Sequence, residues 1–489
     1  MTTTKPKAAA AARIGASLAA RKRGELLGLL RPCFVRCEPW LQASKYLGAL
    51  ASDLPRRNGW TIAQRVGDRA PLRTQRLLNR AVWDTCAAMG VVRRFAVAGL
   101  DEAARRQGRR RWLAVGALDE TSQVKQGTAT AGVQRHYLGC VGKVANGITT
   151  VHLSYVREQT GHALIGARQW IPAAQIDDPV RSLVMGLPPG LEFRSKGELA
   201  IDLCTEAFGD GVRLDFVCGD EVYGACTRLR KFFEDHGQGY VLRVPSTFRL
   251  TLAAGVTPTC KQAVTRLLKD TRRWEIRSAG TGSKGQRWYG WAWLATASPR
   301  HHLLIRRHLS TGELAFHYCF VPPGQALSKS RLIRAAGLRW PVEEMFEFGK
   351  GCFGLDQSRV RLYTGDRPPH RPGHGRISDL RRDRRPAARA HQYPGPAPGQ
   401  ARPAGSRRPG DDPADRPGDR PPAHHPAHHT RPHRTLVQLA PPPASPRPLV
   451  PPAHPARPRP HNHPGQIANG CCRTSPLTAE ATATLICRR

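Results

Sequence analysis

The spacing of apolar residues changes along the chain, and each change predicts a different kind of structure. Over residues 21–105 apolar residues recur every three or four positions, which is typical of amphipathic helices. Over residues 111–245 short apolar runs alternate with helical patterns. After about residue 365 neither period persists, and residues 1–20 show no core-forming pattern. The chain is therefore expected to have a flexible lead, a helical region, an α/β region and a tail.

Two predicted helices in the helical region are joined by a short turn that contains glycine. They cover residues 58–68 and 74–83, and Arg73, Arg76 and Arg80 lie near one face of the second helix. This spacing resembles a helix-turn-helix and predicts that these arginines contact DNA. An ordinary helical hairpin with a solvated arginine face would show the same spacing.

The α/β region predicts three strands, a helix, a strand, a helix and a last strand. These elements lie near residues 112–118, 134–142, 147–156, 196–208, 212–219, 225–236 and 239–244. This is the element order of the RNase H-like fold, so the predicted fold class is α/β with an RNase H-like core.

Paired acidic residues follow two of these strands. Asp119-Glu120 comes directly after the first strand, and Asp220-Glu221 comes after the strand at 212–219. Because an α/β sheet carries its sites at the carboxyl ends of its strands, Asp119 and Asp220 are expected to lie close together. Glu120 and Glu221 are expected to be solvated or to lie behind the first pair.

A third acidic site opens a helix that is predicted to start at Trp340-Pro341, with proline where a helix tolerates it. Glu343, Glu344 and Glu347 all lie there. Two Mg²⁺ ions about 3.5–4 Å apart can activate the attacking oxygen and stabilise the leaving oxygen in phosphodiester cleavage. Mg²⁺ prefers oxygen ligands. Two strand-end aspartates and one helical glutamate therefore predict metal-dependent cleavage of nucleic acid.

The segment before this helix, residues 246–335, predicts a mostly β insertion. It is rich in tryptophan, threonine and short alternating segments. Trp288, Trp291 and Trp293 could stack on an unpaired base. Packing in the core is the commoner fate of tryptophan.

Charge supports a polyanionic partner. The 489 residues have a net charge of +39, and residues 1–365 retain +26 of it. An excess of this size indicates nucleic acid, although an arginine-biased gene would raise the charge as well. The 13 cysteines are scattered without paired C-x-x-C motifs, so reduced thiols are expected rather than structural zinc. No stretch has the roughly 20 apolar residues of a membrane span.

Three motifs resemble those of the DDE transposases of bacterial insertion sequences. They are Asp119-Glu-Thr, Gly219-Asp-Glu-Val-Tyr-Gly224 and Arg339-Trp-Pro-Val-Glu-Glu followed by Lys350. The resemblance extends from about residue 30 to 365 and includes Asn58-Gly-Trp60, Arg80-Ala-Val-Trp83 and Gly161-His-Ala-Leu164.

The third-acid motif of that family runs Tyr, two residues, Arg, three residues, Glu, six residues, Lys. Arg339, Glu343 and Lys350 have this spacing, which selects Glu343 over Glu344. Ala336 stands where the family has tyrosine.

The resemblance implies that Asp119, Asp220 and Glu343 are catalytic and bind two Mg²⁺ ions, with Mn²⁺ as a substitute. Arg339 and Lys350 would hold phosphates near the cut. The implied partners are double-stranded DNA, namely transposon terminal inverted repeats and target DNA, with a dimer on DNA. The implied location is the bacterial cytoplasm, at the nucleoid. A nuclease or resolvase that does not transpose, and a catalytically inactive DNA-binding remnant, are the alternatives.

The expected domains are a helical DNA-binding region at 21–105 and a catalytic domain at 106–365, followed by a disordered tail at 366–489. The tail holds 27 of the 42 prolines and 11 of the 19 histidines but no Phe, Trp, Met or Lys. It begins where members of the family continue with an apolar helix. Such a segment cannot bury enough apolar surface to fold, and we interpret it as an out-of-frame translation. A native basic tail that grips DNA is the competing interpretation.

The nucleotide sequence tests this interpretation. We expect one of the other two reading frames beyond codon 365 to encode an apolar segment with helical periodicity. If neither frame does, the tail is native and the interpretation is wrong.

Overall fold

A computed structural model describes residues 4–109, 112–282 and 285–363. The predicted tail at 366–489 lies outside these residues. The helices are α1 (Thr4–Leu30), α2 (Cys37–Leu50), α3 (Gly59–Arg65), α4 (Leu72–Asn79), α5 (Thr85–Arg106), α6 (Ala173–Ile176), α7 (Pro179–Met185), α8 (Lys196–Gly209), α9 (Glu221–Ala225), α10 (Thr227–Asp235), α11 (Cys260–Leu267), α12 (Lys329–Gly337) and α13 (Pro341–Phe353). The strands are β1 (Ala114–Val124), β2 (Gln134–Leu138), β3 (Lys143–Arg157), β4 (Gly161–Trp170), β5 (Phe216–Gly219), β6 (Tyr240–Val244), β7 (Glu275–Gly282), β8 (Gly285–Ala295), β9 (His301–His308) and β10 (Leu314–Phe320).

The described strands form one mixed sheet. Its order is β2-β3-β1-β5-β6-β10-β9-β8-β7, and β4 pairs with β3. Strands β1, β5 and β6 are parallel, whereas β3 runs antiparallel to β1 and β4 antiparallel to β3. The path β4-β3-β1-β5-β6 confirms the predicted RNase H-like core. The sequence prediction omitted β4, although its residues Ala163–Ala167 are buried, because an apolar run of this length has no clear period of its own.

The predicted β insertion does not form a separate sheet. Strand β10 pairs antiparallel with β6, and β9, β8 and β7 follow it outward. The insertion therefore extends the sheet of the RNase H-like core sideways, and side chains of both parts share the same two faces.

Helices cover both faces of the sheet. On one face, Leu203 of α8 and Phe233 of α10 pack with Leu118 of β1. On the other face, Leu332 of α12 packs with Val115 of β1. Because neighbouring positions of a strand point to opposite faces, the single strand β1 supplies residues to both cores.

The N-terminal helices share a buried core with helix α13 of the α/β part of the chain. Leu26 of α1 and Tyr46 of α2 belong to the same buried cluster as Phe346 of α13. Arg57, which is buried, donates from Nε to the Leu50 carbonyl at 3.0 Å and from Nη2 to the Cys352 carbonyl. These contacts fix the helical region against the end of α13.

The flexible lead predicted for residues 1–20 is wrong for the residues that the structure describes. Helix α1 begins at Thr4 and continues to Leu30. The run Ala8–Ala12 explains the difference, because alanine has the highest intrinsic helix propensity.

The two helices of the predicted helix-turn-helix are present as α3 and α4. Asn58 caps α3, and its side chain accepts hydrogen bonds from the backbone N–H groups of Trp60 and Thr61. Helix α4 ends at Asn79, four residues before the predicted end at 83. Arg80 therefore lies just beyond the helix.

None of the helices described is both long enough and apolar enough to span a bilayer. The longest, α1, carries Lys22, Arg23 and Glu25 near its end, and charged side chains are costly in hydrocarbon.

Gly224 sets the distance between α9 and β6. A Cβ atom at this position would lie 1.8 Å from the backbone oxygen of Arg243. Only glycine allows the helix that follows Asp220 to approach the neighbouring strand this closely.

We predict that Gly224→Ala destabilises the fold by about 3 kcal/mol or more, because backbone must move to relieve the overlap. Urea unfolding measures the change. Gly209→Ala is the matched control: it lies in a helix with no atom within 4 Å of the added Cβ and should be neutral or slightly stabilising. Equal stability of the two variants would contradict the packing argument.

Candidate active site

Asp119 lies in the middle of a strand, not at the end of one as predicted. Strand β1 continues to Val124, because β3 pairs with it along its full length. On its other side β1 pairs with β5 only as far as Ala117, opposite Cys218. Asp119 therefore lies just beyond the end of β5, at an opening in the sheet on that side.

Asp220 occupies the position that the sequence predicted, directly after β5. It is the N-cap of α9, and its Oδ1 accepts a hydrogen bond from the Val222 backbone N–H at 2.9 Å. The opening beside β1 and the turn from β5 into α9 bring Asp119 and Asp220 together.

Glu120 belongs to the same acidic cluster. One carboxylate oxygen from each of Asp119, Glu120 and Asp220 lies within 4.8 Å of the other two. Glu120 accepts hydrogen bonds from Lys196 Nζ at 2.5 Å and from the Tyr223 hydroxyl at 2.8 Å. Of the two alternatives predicted for Glu120, solvent exposure is therefore wrong, since its side chain is only 18% exposed.

Arg339 connects the cluster to the helix of the third acid. Its Nη1 donates to Asp119 Oδ2 at 2.6 Å, and its Nη2 donates to Glu343 Oε1 at 3.4 Å. Helix α13 begins at Pro341, as predicted. Glu343 thus meets Asp119 through a shared arginine and is not one of the three clustered carboxylates.

The neighbouring glutamates of α13 have other surroundings. The charge of Glu344 acts on Arg287 in the insertion, and Glu347 is exposed. Glu343 is itself 48% exposed, but its carboxylate reaches Arg339 and its charge acts on Asp119; its role as the third acid stays a prediction.

Burial and crowding of the carboxylates change their acidity. Burial, with the charges of Glu343 and Asp220, raises the pKa of Asp119 to about 7, and Arg339 only partly offsets this. Burial and the charge of Glu120 also raise the pKa of Asp220. Burial works against the charge of Arg339, but Asp119 and Glu343 outweigh it and raise the arginine pKa. The site holds more negative charge than its own cations neutralise.

Lys350 lies beside a cavity next to the cluster. The cavity has a volume of about 140 Å³, and Lys350, His152, Trp83 and Asp356 are among its lining residues. His152 pairs with Asp119 across β1 and β3, is buried, and has no hydrogen-bond partner on either ring nitrogen among the described residues. Burial and the charge of Lys350 lower its pKa to about 3. The sequence prediction missed His152, because an isolated polar residue in a strand carries no signal.

The arginines predicted to contact DNA are on the surface. Arg73 and Arg76 lie on the exposed side of α4, and Arg80 follows its end. Thr74 and Leu77 of the same helix are buried on the opposite side. Contact with DNA by these arginines stays a prediction.

The three tryptophans of the insertion have different environments. Trp288 is 54% exposed, Trp291 is in the core at 1% exposure, and Trp293 stacks on His302 with ring centroids 5.2 Å apart. Base stacking by Trp291 is therefore excluded, and Trp288 is the one whose ring is free on the surface.

Comparison with known families agrees with this geometry. Residues 30–277 match the family model of the DDE superfamily endonucleases, and residues 194–365 match that of the transposase DDE domain. The chain belongs to the DDE superfamily. No curated protein matches the chain in sequence. The two matched ranges together contain Asp119, Asp220 and Glu343.

The residues of this DDE site fit a divalent metal ion, which DDE domains generally use. The donors are carboxylate oxygens, the ligands that hard cations such as Mg²⁺ prefer. Burial is the main cause of the raised pKa values of Asp119 and Asp220, and the neighbouring carboxylates add to it, so further positive charge would favour the ionised forms. A divalent cation would supply that charge.

The pH dependence of stability tests the burial of Asp119. In the unfolded chain this carboxyl ionises near its ordinary pKa of about 3.9. Because its folded pKa is about 7, the contribution of this carboxyl to the free energy of unfolding is fully present below pH ~4. That contribution is lost as the pH rises through ~7. Without divalent ions, Asp119→Asn should therefore stabilise the protein by about 1–3 kcal/mol at pH 8 and hardly at all at pH 4.

Urea unfolding of both proteins at the two pH values measures this difference. Asp53→Asn removes an exposed aspartate outside the cluster and serves as the control. A stabilisation by Asp119→Asn that does not depend on pH would refute the assignment.

Proposed function

We propose that this protein is a transposase that cleaves DNA at the ends of an insertion sequence and joins the freed end to target DNA. The observation that carries the proposal is the meeting of Asp119 and Asp220 beside the end of β5, with Arg339 linking Asp119 to Glu343 of α13. The family assignment supports DNA cleavage, and the spacing of Arg339, Glu343 and Lys350, which resembles the third-acid motif of the transposases, supports the transposase reaction.

Asp119, Asp220 and Glu343 are the residues that would hold two Mg²⁺ ions, with Mn²⁺ as a substitute. When bound, the ions activate the attacking oxygen and stabilise the leaving oxygen of the phosphodiester. Burial excludes much of the water around Asp119, which strengthens every charge interaction there. Arg339 orients two of the carboxylates, because it donates to both.

The cationic residues near the cluster would position the DNA strand. Lys350 follows Glu343 by seven residues on the same helix, so the two lie on one side of α13. Its ammonium would attract a backbone phosphate as a point charge, and the Arg339 fork would bind phosphate oxygens. His152, which lines the same cavity as Lys350, is neutral at physiological pH and adds no charge beside the lysine.

The proposed partners are the terminal inverted repeats of the element and its target DNA, bound by a dimer. The net charge of +26 on residues 1–365 and the exposed Arg73, Arg76 and Arg80 support binding of a duplex. The exposed ring of Trp288 would stack on a DNA base that has become unpaired and left the duplex.

We predict that Asp119→Asn, Asp220→Asn and Glu343→Gln each lower metal-dependent cleavage about 10³-fold or more. Residues that act as one catalytic unit depend on each other, so the loss of one costs nearly as much as the loss of all. DNA binding should be retained. The substrate is a duplex that carries the terminal inverted repeat found beside the gene, and cleavage and joining are followed on gels with Mg²⁺ or Mn²⁺.

Glu344→Gln is the matched control, because it makes the same change on the same helix where the side chain acts on Arg287. It should retain most activity. If Glu344→Gln abolishes cleavage while Glu343→Gln does not, the third acid is wrongly assigned. Cleavage without joining would identify a nuclease or resolvase, and binding without cleavage would identify an inactive remnant.

A further inference from the structure

A band of charged residues crosses the sheet face that carries Asp119. Gly219 of β5 pairs with Leu242 of β6, so Asp220 and Arg243 follow at the next position of neighbouring strands. Arg243 pairs in turn with His317 of β10. The acidic end of the band is thus followed directly by a basic end, which starts at Arg243 of β6 and continues into the insertion.

The basic end continues into the next two strands. His317 pairs with Leu304 of β9, and Arg306 lies two residues further on the same face. Arg306 pairs with Trp291 of β8, and its guanidinium lies 4.5 Å from the centre of the Tyr289 ring. Three strands therefore contribute Arg243, His317 and Arg306 to one patch, the basic patch.

The basic patch is poorly neutralised among the residues that the structure describes. Arg243 lies 3.0 Å from Glu221, but Arg306 makes no ion pair with a described carboxylate and only stacks on Tyr289. His317 is 8% exposed, and its Nδ1 has no hydrogen-bond partner. Buried polar groups without partners are rare in native proteins.

The closeness of these basic groups changes the pKa values of the residues in the patch. Burial, followed by the charges of Arg306 and Arg243, lowers the pKa of His317 to about 3. Burial also lowers the pKa of Arg306, and the charges of Arg243 and Arg339 act in the same direction, whereas Tyr289 and Glu313 offset only part of the shift. Partly buried guanidinium groups that repel each other are costly unless an anion lies among them.

We propose that Arg243, Arg306 and His317 form an anion site that holds a backbone phosphate of the DNA strand whose cleavage Asp119 and Asp220 catalyse. The inference rests on the proposed function, because the acidic end of the same band fixes where that strand is cut. The planar guanidinium groups of Arg243 and Arg306 suit phosphate oxygens, and a bound phosphate would favour the protonated ring of His317, whose Nδ1–H would then donate a further hydrogen bond.

The sheet gives the approximate position of this phosphate. Neighbouring strands are spaced by about 4.8 Å, so Arg243 on β6 lies about 10 Å and Arg306 on β9 about 19 Å from β1. The held phosphate should therefore be a few nucleotides from the cut.

The test measures binding of the full chain to a terminal-repeat duplex over a range of salt, without divalent ions so that binding is separate from cleavage. Arg306→Gln should lower the slope of log affinity against log salt by about 0.9, the value of one phosphate contact. Duplexes with a single neutral methylphosphonate, placed in turn at each phosphate near the cut, locate the contact. At one of these positions the methylphosphonate should weaken DNA binding by the wild type but should not weaken binding by Arg306→Gln any further.

Arg307→Gln is the matched control, since Arg307 is the next residue on β9, points to the opposite face and stacks on Trp274. It should keep the wild-type slope. Thermal melting checks folding, and if Arg306→Gln does not fold, Arg243→Gln replaces it with the same expectation. A wild-type slope in the folded variant, whether Arg306→Gln or Arg243→Gln, would overturn the anion site alone if the wild type still cleaves the duplex. Failure of the wild type to bind or cut the duplex would overturn the proposed function as well.

Discussion

The hydrogen-bonded pair of Asp119 and Arg339 is the contact on which the arrangement of the site depends. It joins an acid in the middle of the sheet to the residue that precedes α13, across 220 positions of sequence. Because Arg339 also donates to Glu343, the same guanidinium fixes the position of α13 relative to Asp119. A buried carboxylate with a raised pKa is tolerated there because this cation compensates part of its charge.

The packing near this pair joins the N-terminal helical region to α13, the helix that carries Glu343. Phe346 of α13 shares a buried cluster with Leu26 and Tyr46 of the first two helices. Arg57 also bonds the carbonyl of Cys352 near the end of α13. A DNA end held by the helical region would therefore be held in a fixed relation to the carboxylates. Toward the other edge of the sheet, the insertion continues the face that carries Asp119 and supplies His317 and Arg306 of the basic patch.

The parts of the site with local signals could be predicted from the sequence. The chain order of the acids, the start of α13 at Pro341 and the closeness of Glu343 to Arg339 follow from periodicity and motif. The interpretation of Asp119 as a strand end was wrong, because the length of β1 is set by its pairing with β3 and not by its own residues. Helix α1 was missed because an alanine run lacks an apolar face, although its helix propensity is high.

The sequence by itself determined which residues are the candidates for the chemistry, because carboxylates, their spacing and their place after apolar runs are properties of the chain. Only the tertiary structure decided how these residues are partnered. Glu120 joins the cluster because Lys196 and Tyr223 hold it there, and Arg306 joins His317 because β9 and β10 lie side by side. Contacts of this kind depend on strand order and register, which arise from long-range pairing and burial that no local pattern encodes.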